Sequence, residues 1–184
     1  MLSRYIQQQK VGQVVKLPIS VFIFLFMQLI LVAYGDIKSK KIPNYWALIN
    51  ISIFALLTFL FPEQYRWEMK TFIFPIAFFF VGFVLFLLKI MGGGDSKYLV
   101  SFYLLTPVDL HESAFLCLLF STIIVGLFLL IMNALNNFEK ILTAIKYMDT
   151  ITIKQIFGTK FSYAPVILIS WMWFGLENRG SMFW

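Results

Sequence analysis

The sequence predicts an all-α membrane protein, a polytopic bundle of six transmembrane helices, and three observations carry that expectation. Of 184 residues, 60% are hydrophobic and only 13% are charged, where a soluble domain typically carries about 25% charged residues. The mean hydropathy is +0.84, too apolar for a surface that faces only water. The apolar residues fall in long runs separated by short polar connections, and about 20 apolar residues cross the hydrocarbon of a bilayer. The length holds six such runs and leaves no room for a separate soluble domain. Residues 1–184 therefore read as one integral membrane domain.

The elements follow in order. The first sixteen residues are polar, include Gln7, Gln8 and Gln9, and lack the pattern of a cleaved secretion signal. The first helix is expected from about Leu17 to Gly35, with no small-residue cleavage site behind it, so it reads as retained. The second is expected from Asn44 to Phe61, stopped by Pro62. The third covers Thr71 to Met91. The fourth begins near Asp95 and ends before Pro107, which is short for a span. The fifth covers Glu112 to Asn133, opening on an acid that suits the helix dipole. The sixth, Tyr163 to Leu176, is short again; short spans are accommodated where other helices surround them or the bilayer thins. Residues 135–161 mix apolar and polar side chains. Ile141, Ile145, Met148 and Ile151 recur at three- or four-residue steps, the pattern of an amphipathic helix on the cytoplasmic membrane face. A plain connector remains an equal alternative.

The formal charge of +6 suits basic loops beside anionic lipid head groups. The lysines are scattered through short loops, which gives no argument for nucleic acid. Six spans place Lys38, Lys40, Lys41, Lys89, Lys97, Lys140, Lys146, Lys154 and Lys160 on one side, and Arg4, Lys10, Lys16, Arg66, Lys70 and Arg179 on the other. Nine against six assigns the first side to the cytoplasm. Cys117 is the one cysteine and sits in an apolar run, where it reads as a small packing residue. His111 is the one histidine, in an expected short loop with too few ligands nearby for a metal site. No cofactor is expected. The many phenylalanines read as lipid-facing or core packing, and Trp171, Trp173 and Trp184 as an interface belt.

Two acids stand out, because carboxylates near membrane helices are costly. Asp36 lies at the end of the first helix in Gly35-Asp36-Ile37-Lys38-Ser39-Lys40-Lys41-Ile42-Pro43-Asn44. Asp95 lies in Gly92-Gly93-Gly94-Asp95-Ser96-Lys97. The second and third helices separate them as one hairpin, so both return to the same face. Peptide hydrolysis without a metal or a side-chain nucleophile needs an activated water. Two carboxylates that share one proton supply a base for that water and an acid for the scissile carbonyl. The glycines before Asp95 would let a substrate backbone approach and would permit unusual backbone conformations. The helix dipole is expected to favour charge at Asp95, at a helix start, and to disfavour it at Asp36, at a helix end.

These two segments resemble the prepilin peptidase family of aspartyl proteases, including its short, peptidase-only branch associated with tight-adherence pili. Asp36, Lys38, Lys40, Lys41, Ile42, Pro43 and Asn44 match the family's first motif, an Asp followed by a basic stretch and Ile-Pro-Asn. Gly92, Gly94, Asp95 and Lys97 match the second, Gly-x-Gly-Asp-x-Lys, and Tyr163-Ala164-Pro165 gives a weaker echo. The resemblance implies cleavage of the basic leader from type IV pilin-like membrane precursors at the cytoplasmic face of the inner membrane. It implies Asp36 and Asp95 as the catalytic pair, with Lys97 a motif residue nearby. Larger bacterial members carry a cysteine-rich zinc region and also methylate the trimmed pilin. That region is lacking here, so methylation is not carried over. Archaeal preflagellin peptidases share both motifs. Presenilin-like proteases share Gly-x-Gly-Asp, but their first Asp follows a Tyr directly, whereas Gly35 separates Tyr34 from Asp36. Two other readings stay open: a transporter with a carboxylate proton or cation relay, and a non-catalytic scaffold for a secretion assembly. The sequence does not specify an oligomeric state.

Overall fold

The computed structural model describes residues 17–88, 91–147, 149 and 162–183. Among them, seven α-helices follow one another: α1 Ile19–Ser39, α2 Asn44–Leu60, α3 Met69–Leu87, α4 Gly93–Leu105, α5 His111–Asn136, α6 Phe138–Lys146 and α7 Ala164–Glu177. The protein is all-α apart from two short strands, β1 Leu17–Pro18 and β2 Met182–Phe183, which pair in parallel. The sequence reading missed that pairing because two-residue strands carry no periodicity. All six expected helices are present, displaced by a few residues at their ends.

Those displacements have local causes. Helix α1 runs on to Ser39, so Asp36 lies inside its last turn; Lys40 then turns the chain in the left-handed region, φ 51, with its N–H on the Asp36 carbonyl at 2.7 Å. Pro43 caps α2 in an extended conformation. Helix α3 stops at Leu87, before the glycines that open α4.

Three stretches are long and apolar enough to cross a membrane: Ile19–Ser39, Met69–Leu87 and Val108–Asn136, of 21, 19 and 29 residues. Helices α2 and α7 are apolar but shorter, at 17 and 14 residues. Helix α4 has only 13 residues and is buried on almost every side, including Asp95, Ser96, Tyr98, Leu99, Ser101, Phe102 and Tyr103. That burial explains why it shows no amphipathic stripe: a helix with no free face has none to display. By its composition and helices the chain is an integral membrane protein.

The helices pack in two groups. Helices α2 and α3 lie along α4, while α7 lies along both α1 and α5. Aromatic rings join the groups on the side away from the aspartates. Trp171 of α7 meets Phe102 of α4 edge to face at 4.9 Å and stacks between Phe22 and Phe174. Trp171 is thus buried in the core, and its expected place in an interface belt is corrected; its indole N–H donates to the Phe22 carbonyl at 3.2 Å. Trp173 does face outward, 40% exposed, while Trp184 lies outside the described residues. Cys117 is buried as expected, but its thiol also donates to Glu177 Oε2 at 3.4 Å, so it is a polar contact between α5 and α7.

His111 is the first residue of α5, not part of a loop. Its Nε2 lies 2.8 Å from the carbonyls of both Tyr103 and Thr106. Carbonyls only accept, so Nε2 carries the proton. The Tyr65 hydroxyl donates to the Leu105 carbonyl at 2.9 Å. Side chains therefore satisfy carbonyls at the end of the short helix α4. Over Phe138–Lys146, within the expected amphipathic segment, helix α6 exposes Phe138 and Leu142 together with Lys140 and Lys146. Met148 and Ile151 lie outside the described residues, as do Arg4, Lys10, Lys16, Lys89, Lys154 and Lys160 of the charge count.

Candidate active site

Asp36 comes from the last turn of α1 and is buried, 3% exposed. A carboxylate there would face the carbonyl end of its own helix. The fold supplies an opposing partner. The Ala164 N–H, at the start of α7, donates to Asp36 Oδ2 at 3.1 Å, and the Ser162 hydroxyl donates to the Asp36 carbonyl oxygen at 3.2 Å. The Asp36 carboxylate thus meets the first N–H of α7, at the positive end of that helix.

Asp95 stands in the first turn of α4 and is 8% exposed. Its Oδ2 accepts from the Gly92 N–H at 3.0 Å, one arm of a capping box whose other arm glycine cannot supply. Both carboxylates thus sit at helix N-termini. The expected contrast, with charge favoured at Asp95 and disfavoured at Asp36, was drawn from the end of α1 alone, and the start of α7 also meets Asp36. A sequence cannot show that a helix more than a hundred residues downstream aims its start at Asp36.

The two motifs touch through backbone. A side-chain carbon added to Gly94 would collide with the Ile42 carbonyl oxygen. Gly94 immediately precedes Asp95, and Ile42 belongs to the Ile-Pro-Asn stretch after Asp36. The chain's own backbone, rather than a substrate's, occupies the room that this glycine leaves. Nor do the glycines supply unusual conformations: none of the described ones has a positive φ. Gly92 serves Asp95 directly, since an added carbon there would stand 3.0 Å from Asp95 Oδ2, whereas at Gly93 it would make an ordinary 3.5 Å contact with the Phe86 ring.

Tyr163 adjoins the Asp36 contact along the chain. It caps α7 one residue before Ala164, and its hydroxyl shares a 3.0 Å hydrogen bond with Thr122 of α5. Of the other expected residues, Pro43 and Asn44 are exposed at the start of α2, and Lys38 and Lys97 project outward from α1 and α4. The structure sets Gly94, next to Asp95, against Ile42 of the Asp36 motif and leaves both lysines exposed.

Ser162 and the Ala164 N–H were not expected at the site; their signal was the weak Tyr163-Ala164-Pro165 echo. Gln28 and Asn50 also went unremarked, although a lone amide inside an apolar run is costly in the same sense as an acid.

The model of the type IV leader peptidase family matches residues 23–131, more than half of the chain and both aspartates. No curated protein and no solved structure matches the chain. On the family match, the chain belongs to the type IV leader peptidase family.

Proposed function

We propose that the protein is an aspartyl endopeptidase that removes the basic leader from type IV pilin-like membrane precursors. It would act as a single membrane domain of six spans, at the cytoplasmic face of the inner membrane, without methylating the product. Family membership supports leader-peptidase activity. The observation that carries the catalytic assignment is the backbone contact of Gly94 with Ile42, which holds the Asp36 and Asp95 segments together. Asp36 and Asp95 flank one water: the ionised carboxylate takes its proton, and the protonated one polarises the scissile carbonyl. Gly92 and Gly94 permit the close packing, while Lys38 and Lys97 keep this end at anionic head groups. A precursor's apolar helix stays in the bilayer while its basic leader remains in the cytoplasm, which puts the scissile bond near the ends of α1 and α4.

The test is co-expression with candidate precursors, read as a mobility shift. Wild-type protein should trim the precursor, and Asp36→Asn and Asp95→Asn should each abolish trimming while remaining inserted. Asparagine is the right replacement, because its oxygen still accepts from the Ala164 or Gly92 N–H. Trimming by either variant removes that residue from the catalytic pair. A scaffold or an ion relay predicts no trimming by any form.

A further inference from the structure

Helices α1 and α4, which carry Asp36 and Asp95, belong to different packing groups. A closed ring of hydrogen bonds joins those groups in the bundle interior. The Tyr98 hydroxyl donates to Gln28 Oε1 at 2.9 Å, and Gln28 Nε2 donates to Asn50 Oδ1 at 2.7 Å. Asn50 Nδ2 donates to Ser101 Oγ at 3.2 Å, and Ser101 returns its proton to the Tyr98 carbonyl at 2.9 Å. The ring begins and ends on Tyr98 and runs in one donor direction throughout. None of its four side chains is more than 3% exposed.

Its place relative to the acids is fixed by helix geometry. Tyr98 lies three residues after Asp95, or about 4.5 Å along α4. Gln28 lies eight residues before Asp36, or about 12 Å along α1, on the same buried stripe of Leu25, Gln28, Leu29, Val32, Ala33 and Asp36. Aromatic contacts such as Phe102 with Trp171 tolerate sliding, and lipid supplies no hydrophobic force to press helices together. Directional bonds between buried amides and hydroxyls do not tolerate it, since a displaced partner leaves a polar group unpaired in an apolar interior.

We propose that Gln28, Asn50, Tyr98 and Ser101 are positioning residues: their hydrogen-bonded ring sets the axial register of α1 against α4, and so the alignment of the Asp36 carboxylate with that of Asp95. The catalytic half of this inference rests on the leader-peptidase reading. The ring touches no substrate and acts only through the helices.

The test uses the full chain in lipid nanodiscs and a precursor peptide with a basic leader ahead of an apolar helix. Gln28→Met keeps the side-chain length and removes the bonds; Tyr98→Phe removes one hydroxyl and guards against a variant that fails to fold. Each should lower kcat per folded enzyme, roughly tenfold to a hundredfold for Gln28→Met, as expected when reacting groups shift by about an ångström. KM should stay within about twofold, since substrate contacts are intact. Spin labels at Ser39→Cys and Lys97→Cys, in a Cys117→Ser protein, should give a narrow distance distribution that broadens or shifts in both ring variants. Wild-type kcat in both variants, activity lost only in proportion to unfolded protein, or an unchanged distance distribution would overturn the proposal. If wild-type protein cleaves nothing, or if Asp36→Asn cleaves as well as wild type, the leader-peptidase reading falls instead. The label distances then still decide whether the ring holds the two helices in register.

Discussion

Adding one methyl group to each glycine before Asp95 would have three different consequences. At Gly94 the new carbon meets the Ile42 carbonyl oxygen, which belongs to backbone and cannot swing aside. Gly94→Ala should therefore push the two motifs apart. Its destabilisation should be about 1–3 kcal/mol, in the range of overpacked interiors, with precursor cleavage falling at least about tenfold. At Gly93 the same carbon finds ordinary contact distance to the Phe86 ring, so Gly93→Ala should cleave and melt like wild type. Gly92→Ala should fall between them, since its neighbour is the Asp95 carboxylate itself. Thermal melts and initial cleavage rates of the three variants check this order, and equal behaviour of all three would contradict it. The identity of these residues was legible in the sequence, because acids and glycine clusters are conspicuous among apolar runs. Their purpose was less legible. The glycines suggested room for a substrate, and the room proved to be filled by Ile42, whose approach depends on Lys40 turning the chain after α1.

Helix α4 is an element fastened at both ends. Asp95 binds its first turn through Gly92, and Tyr65 and His111 donate to its last carbonyls. Replacing the histidine by leucine keeps an apolar side chain of similar bulk between Phe74 and Tyr103, but takes away the imidazole donor of the Thr106 carbonyl and leaves the Tyr103 carbonyl only the Thr106 N–H. His111→Leu should cost about 1–3 kcal/mol for the carbonyl left unsatisfied. It should also reduce cleavage more than an outward-facing change such as Trp173→Leu, and thermal denaturation in nanodiscs alongside the cleavage assay measures both. Helix boundaries were read to within a few residues because Pro62, Pro107 and the glycines punctuate the apolar runs. The partners of the helix ends were not legible. Capping by Tyr65, His111 and the start of α7 depends on which helices become neighbours, and apolar runs of similar composition do not encode that.

At the scale of the whole molecule, the proposed function assigns sides. The exposed lysines around α1 and α4, the aspartate region and the basic face of α6 are expected in the cytoplasm, with the Arg66–Glu68 turn opposite. Single cysteines at Ser39 and Arg66, in a Cys117→Ser protein, should react with a membrane-impermeant maleimide from opposite sides in sealed vesicles, Ser39→Cys only from the cytoplasmic one. The reverse labelling would invert the proposed orientation. The membrane character of the chain was plain from composition. Its division into two packing groups was not, because that depends on which pairs interlock, as Gly175 does against the Phe22 ring. The short strands at either end of the bundle bear on topology as well. Leu17 lies beside Met182 in a parallel ladder, so the two strands stand at one level of the bundle. A path that returns to its starting leaflet has traversed a bilayer an even number of times. Three long apolar stretches are an odd number, and the proposed six spans, which add the shorter helices, meet that parity.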